Sequence, residues 1–358
     1  MTTQILGIGT ANPGEGIPQM LISEFMTHAH ELEEAEARKL RFVYRQSGIE
    51  KRHSVIEDFR FTDPSRFTFF PSNESLQPFP STSARMQVFK EKALDLTKEA
   101  ITDCLKSSLT FPSEISHIIL VSCTGMFAPG LELEIIQQMQ LRHNVERYCI
   151  HFMGCYAAFN GMKLADKICR SEPDAKVLLV SVEFCTLHFQ KNYTEDNLLA
   201  NAIFADGAAA VLLGRGEEGL SIRAYDNYLF PSGEKDMAWS IGDLGFEMRL
   251  SKYVPELLQQ GLQEISDHLE NKYPLSSIYN YAIHPGGRQI LQKVEESLKI
   301  NPKQNRHSHE VLKNFGNMSS ASILFVLKRW MEEQESQGPI LAMGFGPGLT
   351  LETMLFEK

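Results

Sequence analysis

No stretch of this 358-residue chain approaches the roughly 20 consecutive apolar residues that a membrane-spanning helix needs. Positive charge is also scarce. Against 45 Asp and Glu there are 35 Lys and Arg, a net charge of −10. No basic stripe is available to neutralise a phosphate backbone, so nucleic acid is not an expected partner. Cysteine is sparse, with six residues at 104, 123, 149, 155, 169 and 185. None forms a CxxC pair or stands with histidine at zinc-finger spacing, which predicts free thiols in a reducing compartment and no metal site. The opening MTTQILGIGTANPG has no basic segment followed by an apolar one, so no secretory signal is expected and the location is read as cytoplasmic. GIGTANPG (7–14) lacks the third glycine, and the helix directly behind it, that a dinucleotide site requires.

What is present is an ordinary globular composition, 43% hydrophobic and 22% charged, long enough for two domains or one large one. QILGIG reads as a first strand. Residues 21–46 read as helical, with an acidic block, ELEEAEAR, ahead of a basic one, RKLRFVYR. Lys39, Arg41, Arg45, Lys51 and Arg52 are the densest basic group and could meet a local phosphate. Residues 56–80 are rich in Phe and Pro and read as an ordered loop held by its aromatics. A helix is predicted from about Ser83 to Ser107, and strands and helices alternate after it.

That alternation repeats. HIILVSC from 117 is answered by YNYAIHP from 279, Gly154-Cys155 by Gly316-Asn317, and KVLLVSVE from 176 by PILAMGFG from 339, at offsets of 162, 162 and 163. Each first strand precedes an amphipathic segment, LELEIIQQMQL or RQILQKVEESL, and each glycine pair opens a mostly apolar helix. Three elements in one order at one offset predict a duplicated α/β fold. The halves are placed at 1–215 and 216–358, meeting where LLGRGEEGLSI interrupts the apolar pattern.

Cys155 opens the first of these helices in the sequence reading, in a segment (GCYAAFNGMKLA) apolar almost all round. Taken alone it reads as a packed core thiol; as the first residue of a helix it would meet unpaired N–H groups that favour thiolate. The repeat changes its company. His284 falls at the position of Ser122, at a strand end, and Asn317 at the position of Cys155. One pseudo-dyad can therefore gather Cys155, His284 and Asn317 at a cavity between the halves. A cysteine nucleophile needs a base or cation, and histidine serves as both. An attacked carbonyl becomes an oxyanion, which His and Asn N–H donors can stabilise.

GCYAAF, IHPGG, GNMSSAS and GFGPGLTLE resemble the chalcone-synthase-like type III polyketide synthases, from GIGTANP to the final strand. Sister condensing enzymes share the Cys, His and Asn but not IHPGG together with GFGPG. The resemblance implies a thiolase-like fold, a duplicated αβαβα five-layer architecture, in a homodimer. It implies that Cys155 takes a starter acyl group from acyl-CoA, with His284 as its thiolate partner. His284 and Asn317 would then stabilise the enolate formed as malonyl-CoA loses CO₂, and the enolate would attack the Cys155 thioester. The CoA thioesters are substrates, and no cofactor is implied. Phe204, in NAIFADG, and Phe246, in DLGFEM, match a pair of gatekeepers at the acyl cavity.

Departures from the family pattern also have meaning. Cys123 stands where plant members carry a cavity threonine, and Glu183 and Ser319 match residues that line the cavity. Of the basic residues that hold CoA phosphates, Lys39 matches; Arg41 and Arg45 are near, but Phe42 and Gln46 occupy positions where basic residues are expected. His28, His30, His307 and His309 read as solvated and not metal-bound. Three rivals remain: a ketoacyl-synthase-type enzyme performing a single condensation on carrier-protein thioesters, a Cys/His/Asn thioester hydrolase, and a non-catalytic scaffold. The third is disfavoured because all three reactive residues are present.

Overall fold

The computed structural model describes residues 2–233, 235–333 and 338–358. Its strands, in chain order, are β1 (Gln4–Ala11), β2 (Ile17–Pro18), β3 (Lys51–Arg52), β4 (His117–Ser122), β5 (Glu146–His151), β6 (Val177–Phe184), β7 (Asp206–Gly214), β8 (Leu220–Leu229), β9 (Met237–Gly242), β10 (Gly245–Leu250), β11 (Asn280–Ile283), β12 (Ile340–Gly346) and β13 (Thr350–Glu357). The helices are α1 (Gln19–Ala29), α2 (Glu34–Gln46), α3 (Thr82–Ser107), α4 (Leu131–Gln138), α5 (Ala157–Ser171), α6 (Glu195–Ile203), α7 (Val254–Glu264), α8 (Ser266–Lys272), α9 (Arg288–Leu298), α10 (Arg306–Phe315) and α11 (Ser322–Glu332). Among the described residues no helix is long and apolar enough to cross a membrane.

Nine strands form one sheet in the order β11-β12-β13-β8-β1-β7-β6-β4-β5. The order is palindromic in kind. From β4 inward the pairings run parallel, antiparallel, antiparallel to β1, and from β11 inward they run the same way to β8. Register repeats too: His117 faces Val177 in the first half and Asn280 faces Ile340 in the second. Within the sheet, among the described residues, the halves join where Gln4 and Ile5 of β1 meet Ser221 and Leu220 of β8. β5 has no counterpart beyond β11 among the described residues.

Strand alternation divides the interior into layers. Along β4, Ile118 and Leu120 face a core shared with α1 and α3, while Ile119 and Val121 face a central core. In the second half, Ala282 and Ala342 face the same central core, while Ile283 and Met343 face an outer one with α7 and α9. The central core contains α5 and α11, with Phe159, Met162, Ile323 and Trp330 among its members. The result is an αβαβα stack. Its middle layer is buried on every side, which is why GCYAAF and ASILFVL lack a polar stripe.

Two details differ from the expected elements. The helix predicted over 21–46 is two helices, ended after α1 where Glu31 takes a positive φ of 54°. The Phe/Pro-rich loop is ordered around a buried carboxylate as well as its rings. Asp58 accepts backbone N–H bonds from Thr68, Phe69 and Phe70 at 2.8–2.9 Å. Phe25, Phe59, Phe70 and Phe189 pack around it, with centroids 4.8–6.1 Å apart.

Candidate active site

Cys155 sits in the turn between β5 and α5, and α5 begins two residues later at Ala157. It is therefore not the first residue of the helix, as the sequence reading had it. Gly154 makes the turn with φ of 81°, a conformation that costs other residues about 1–2 kcal/mol. The Gly154 N–H donates to Cys123 Sγ at 3.0 Å, and the Ala157 N–H returns to Gly154 O at 3.0 Å.

Asn317 follows Gly316, whose φ is 72°. Its backbone is pinned to the first half: Asn317 N–H donates to Ile203 O and Ala205 N–H to Asn317 O, each at 2.9 Å. Its side chain is oriented as well. Oδ1 accepts the Ser319 N–H at 2.9 Å, and Nδ2 donates to Gly286 O at 3.3 Å, leaving a second amide N–H. His284 extends β11 by one residue, its N–H donating to Met343 O at 2.8 Å. Neither ring nitrogen of His284 has a protein hydrogen-bond partner.

Cys155, His284 and Asn317 all line one cavity of about 340 Å³, together with Cys123, Ser319 and Phe204. Charge inside it is costly. Burial pushes the Cys155 thiol up to about 12, opposed by hydrogen bonds from Ser319 and Asn317. Burial likewise pushes His284 down to about 3, opposed by Asn317. Taken singly, both groups are neutral at pH 7. A helix-start thiolate is thus not what this environment favours.

Other expected cavity residues divide between the lining and the layer behind it. Glu183 is fully buried behind the wall, accepting from Cys123 N–H at 3.0 Å and Thr124 Oγ1–H at 2.8 Å, and from Ser320 Oγ–H. Burial raises its pKa, and the Ser320, Cys123 and Thr124 donors oppose the rise. Burial, then the Glu183 charge, raises the Cys123 thiol well above its usual range. Phe204 lines the cavity, but Phe246 does not. It stacks on His188 at 4.1 Å between centroids and an interplanar angle of 6°, held by its N–H donating to His188 Nδ1 at 2.9 Å. Trp239, on the β9–β10 hairpin, takes the exposed place at the cavity wall and meets Phe246 edge-on. The sequence reading missed Trp239, Met237, Met248 and Leu250, all from this hairpin. Their alternation about the GDLG turn was the available signal.

The basic residues do not gather as expected. Phe42, Val43 and Gln46 of α2 line the cavity. Lys39 lies one turn earlier on the same helix face, while Arg41 pairs with Glu34 at 2.9 Å and Arg45 is exposed on another face. Lys252 and Arg288 supply the positive charge at the lining instead. Nor are His28, His30, His307 and His309 simply solvated. Burial lowers His30 to about 4 while its Nδ1 meets Lys191 O at 2.8 Å. His307 packs edge-on against Trp330 and meets Glu333 at 2.6 Å, His309 meets Glu295 at 2.6 Å, and His28 meets Glu74 at 3.1 Å.

Comparison with known proteins gives a consistent result. Residues 2–217 match the chalcone and stilbene synthases, N-terminal domain, and residues 222–358 match the corresponding C-terminal domain. The chain is 30% identical to the probable polyketide synthase 1 of Dictyostelium discoideum, over 97% of its own length but 11% of that protein. It is 28% identical to the alpha-pyrone synthesis polyketide synthase-like Pks18 of Mycobacterium tuberculosis, covering 99% of this chain and 90% of the relative. Among solved structures, the C-terminal type III polyketide synthase domain of Steely1, a type I/III hybrid from Dictyostelium, superposes with a TM-score of 0.92 at 28% identity, covering 100% of this chain and 99% of that one. PKS-I from the brown alga Ectocarpus siliculosus superposes with a TM-score of 0.91 at 27% identity, covering 100% and 98%.

Proposed function

The chain belongs to the chalcone and stilbene synthase family of type III polyketide synthases, which are acyltransferase-class enzymes, and from that premise we propose how it works: Cys155 carries an acyl starter that is extended with malonyl-CoA. The observation behind this reading is the meeting of Cys155, His284 and Asn317 on the wall of a single buried cavity.

In the loading step His284 takes the Cys155 proton as the thiol sulfur attacks the acyl-CoA carbonyl, and the proton leaves on the sulfur of CoA. The free N–H of Asn317 and the ring of His284 face the developing oxyanion. Malonyl-CoA then loses CO₂, and the same two groups hold the negative oxygen of the resulting enolate. The enolate carbon attacks the Cys155 thioester, the C–S bond breaks, and the released thiolate takes a proton from solvent by way of His284. A wall of Leu199, Phe204, Trp239, Met248 and Phe345 suits an apolar acyl group and excludes water from the enolate. Lys252 and Arg288, at the exposed end, suit the CoA phosphates. No cofactor is required, and the working unit is a homodimer with a gel-filtration mass of two chains.

The test is Cys155→Ala with labelled acyl-CoA and malonyl-CoA. Acyl-enzyme formation is expected to disappear, and label persisting on another residue would overturn the assignment. Release of CO₂ from malonyl-CoA separates this reading from thioester hydrolysis, and repeated extension without a carrier protein separates it from a ketoacyl synthase.

A further inference from the structure

A second cluster lies far from the cavity, at the opposite end of β4. His117 opens β4, Glu146 opens β5, and the parallel register sets them side by side. Glu172, the residue capping the C-terminal end of α5, comes over the same spot. His117 Nε2 lies 3.7 Å from Glu146 Oε2 and 3.7 Å from Glu172 Oε1. The three atoms fall within 4.8 Å of one another. The His117 side chain is only 3% exposed, and its Nε2 has no hydrogen-bond partner. Each carboxylate is more than half exposed, and among the described residues neither has a lysine or arginine partner.

The other ring nitrogen is engaged. Nδ1 lies 2.8 Å from Ser116 Oγ, which also accepts the Lys176 N–H at 3.0 Å and donates to Lys176 O at 3.1 Å. One arrangement of these protons puts the hydroxyl proton on that carbonyl, so that Nδ1–H donates to the hydroxyl and Nε2 carries the lone pair facing the two carboxylate oxygens; a bound metal ion selects that tautomer. A ligating histidine is commonly oriented in this way, its second nitrogen held by a hydrogen bond. The 3.7 Å gaps are too long for hydrogen bonds, and Glu146 Oε2, which accepts the Tyr148 Oη–H at 3.1 Å, keeps a further lone pair to offer a metal ion.

We propose that His117, Glu146 and Glu172 bind one divalent transition-metal ion of the zinc class, with water completing a tetrahedral shell. Bonds of about 2.0–2.1 Å would set tetrahedral edges of roughly 3.4 Å, reached by a small rotation of the two exposed carboxylates. The imidazole ligand favours this class over calcium or magnesium, which take oxygen ligands. Ligand separations of 29 and 26 residues match no metal motif, so the site is invisible in the sequence. It is about 17 Å along β4 from the cavity end, at ~3.3 Å per residue. The ion therefore clamps the edge strand β5 and the end of α5 to β4, outside the reaction itself.

The experiment is a cobalt titration of untagged Cys149→Ser protein, so that the exposed Cys149 thiol on β5 does not compete for the ion. One equivalent is expected to bind with the visible absorption of four-coordinate cobalt. Glu172→Gln, a change at an exposed side chain, should weaken binding at least tenfold, and zinc should raise the melting temperature of the parent but not of that variant. A parent that takes up no cobalt, or a Glu172→Gln variant that binds as tightly as the parent, would overturn the site.

Discussion

Gly154 and Gly316 stand at φ of 81° and 72°, and each delivers the next side chain to the same cavity. What surrounds them differs. After Cys155 come Tyr156, Ala157 and Ala158, all buried and apolar in contact, and α5 begins at once. After Asn317 comes a short turn, Ser319–Ala321, and only then α11. Cys155 is seated by the Gly154 N–H bond to Cys123 Sγ just before it and by the Ser319 and Asn317 side chains. Asn317 is held by paired backbone bonds to the opposite half, on either side of Phe204. Duplication thus supplies one backbone twice. The first copy is an apolar seat for a group that must change charge, and the second is a polar, rigid mount for a donor that must not move.

The largest effect within this comparison is expected at the histidine that joins the two turns. In the proposed mechanism His284 takes up the Cys155 proton, and in His284→Gln the thiol, pushed up to about 12 by burial, has no such acceptor. Its reactivity should then grow about tenfold per pH unit across the neutral range, whereas proton transfer to His284 would make the wild-type rate depend less on that rise. Iodoacetamide alkylation of Cys155 at pH 7 should fall about 10²–10⁴-fold in the variant, and the deficit should narrow as pH is raised toward 10. Superimposable pH profiles would mean that the histidine does not hold the thiolate.

Asn317→Ala sharpens the contrast between seat and mount. Loss of one oxyanion donor costs roughly 10²–10³ in rate. Decarboxylation of malonyl-CoA, followed as released CO₂, should carry that loss, while acyl loading of Cys155 slows less than tenfold. Equal slowing of both steps would place Asn317 in support of the turn and not at the oxyanion.

Much of this site could be read in the chain beforehand because duplication leaves a linear trace. A constant offset put Asn317 opposite Cys155 and His284 at a strand end, and the layered fold follows from apolar strands around two mostly apolar helices. What could not be read depends on packing across elements. Phe204 and Phe246 are equally apolar in sequence, yet one faces the cavity and the other is stacked on His188. Lys252 and Arg288 reach the lining from segments with no basic clustering. Glu183 matches a position that lines the cavity in the family, but here Thr124 and Ser320 hold it behind the wall. The helix-start argument for a Cys155 thiolate failed for a related reason: burial, which sequence shows only in outline, outweighs the amides of a helix that begins two residues later.

The two glycines give the smallest effect and the most direct test of whether the turns are equivalent. Alanine meets a backbone penalty at both positions, about 1–2 kcal/mol for the positive φ at 154 and about 1–3 kcal/mol at 316, where φ of 72° and ψ of −162° fall in a region nearly confined to glycine. The added methyl groups meet different neighbours. At 154 it would run into the Pro347 ring, which cannot rotate away, with far deeper overlap than at the other turn. At 316 the nearest atoms are Arg52 Cγ at 2.9 Å and Arg52 Cδ and Ile203 O at 3.0 Å, so displacements of a few tenths of an ångström suffice. Overpacking of the first kind adds about 1–3 kcal/mol. Gly154→Ala should therefore lower unfolding free energy by about 2–5 kcal/mol and Gly316→Ala by about 1–3 kcal/mol in chemical denaturation. Gly154→Ala should also displace Cys155 and cut acylation, whereas Gly316→Ala, with Asn317 still pinned to Ile203 and Ala205, should keep most of it. If the order is reversed, the Asn317 turn is the more rigid of the two, and the N-terminal seat tolerates movement that the C-terminal mount does not.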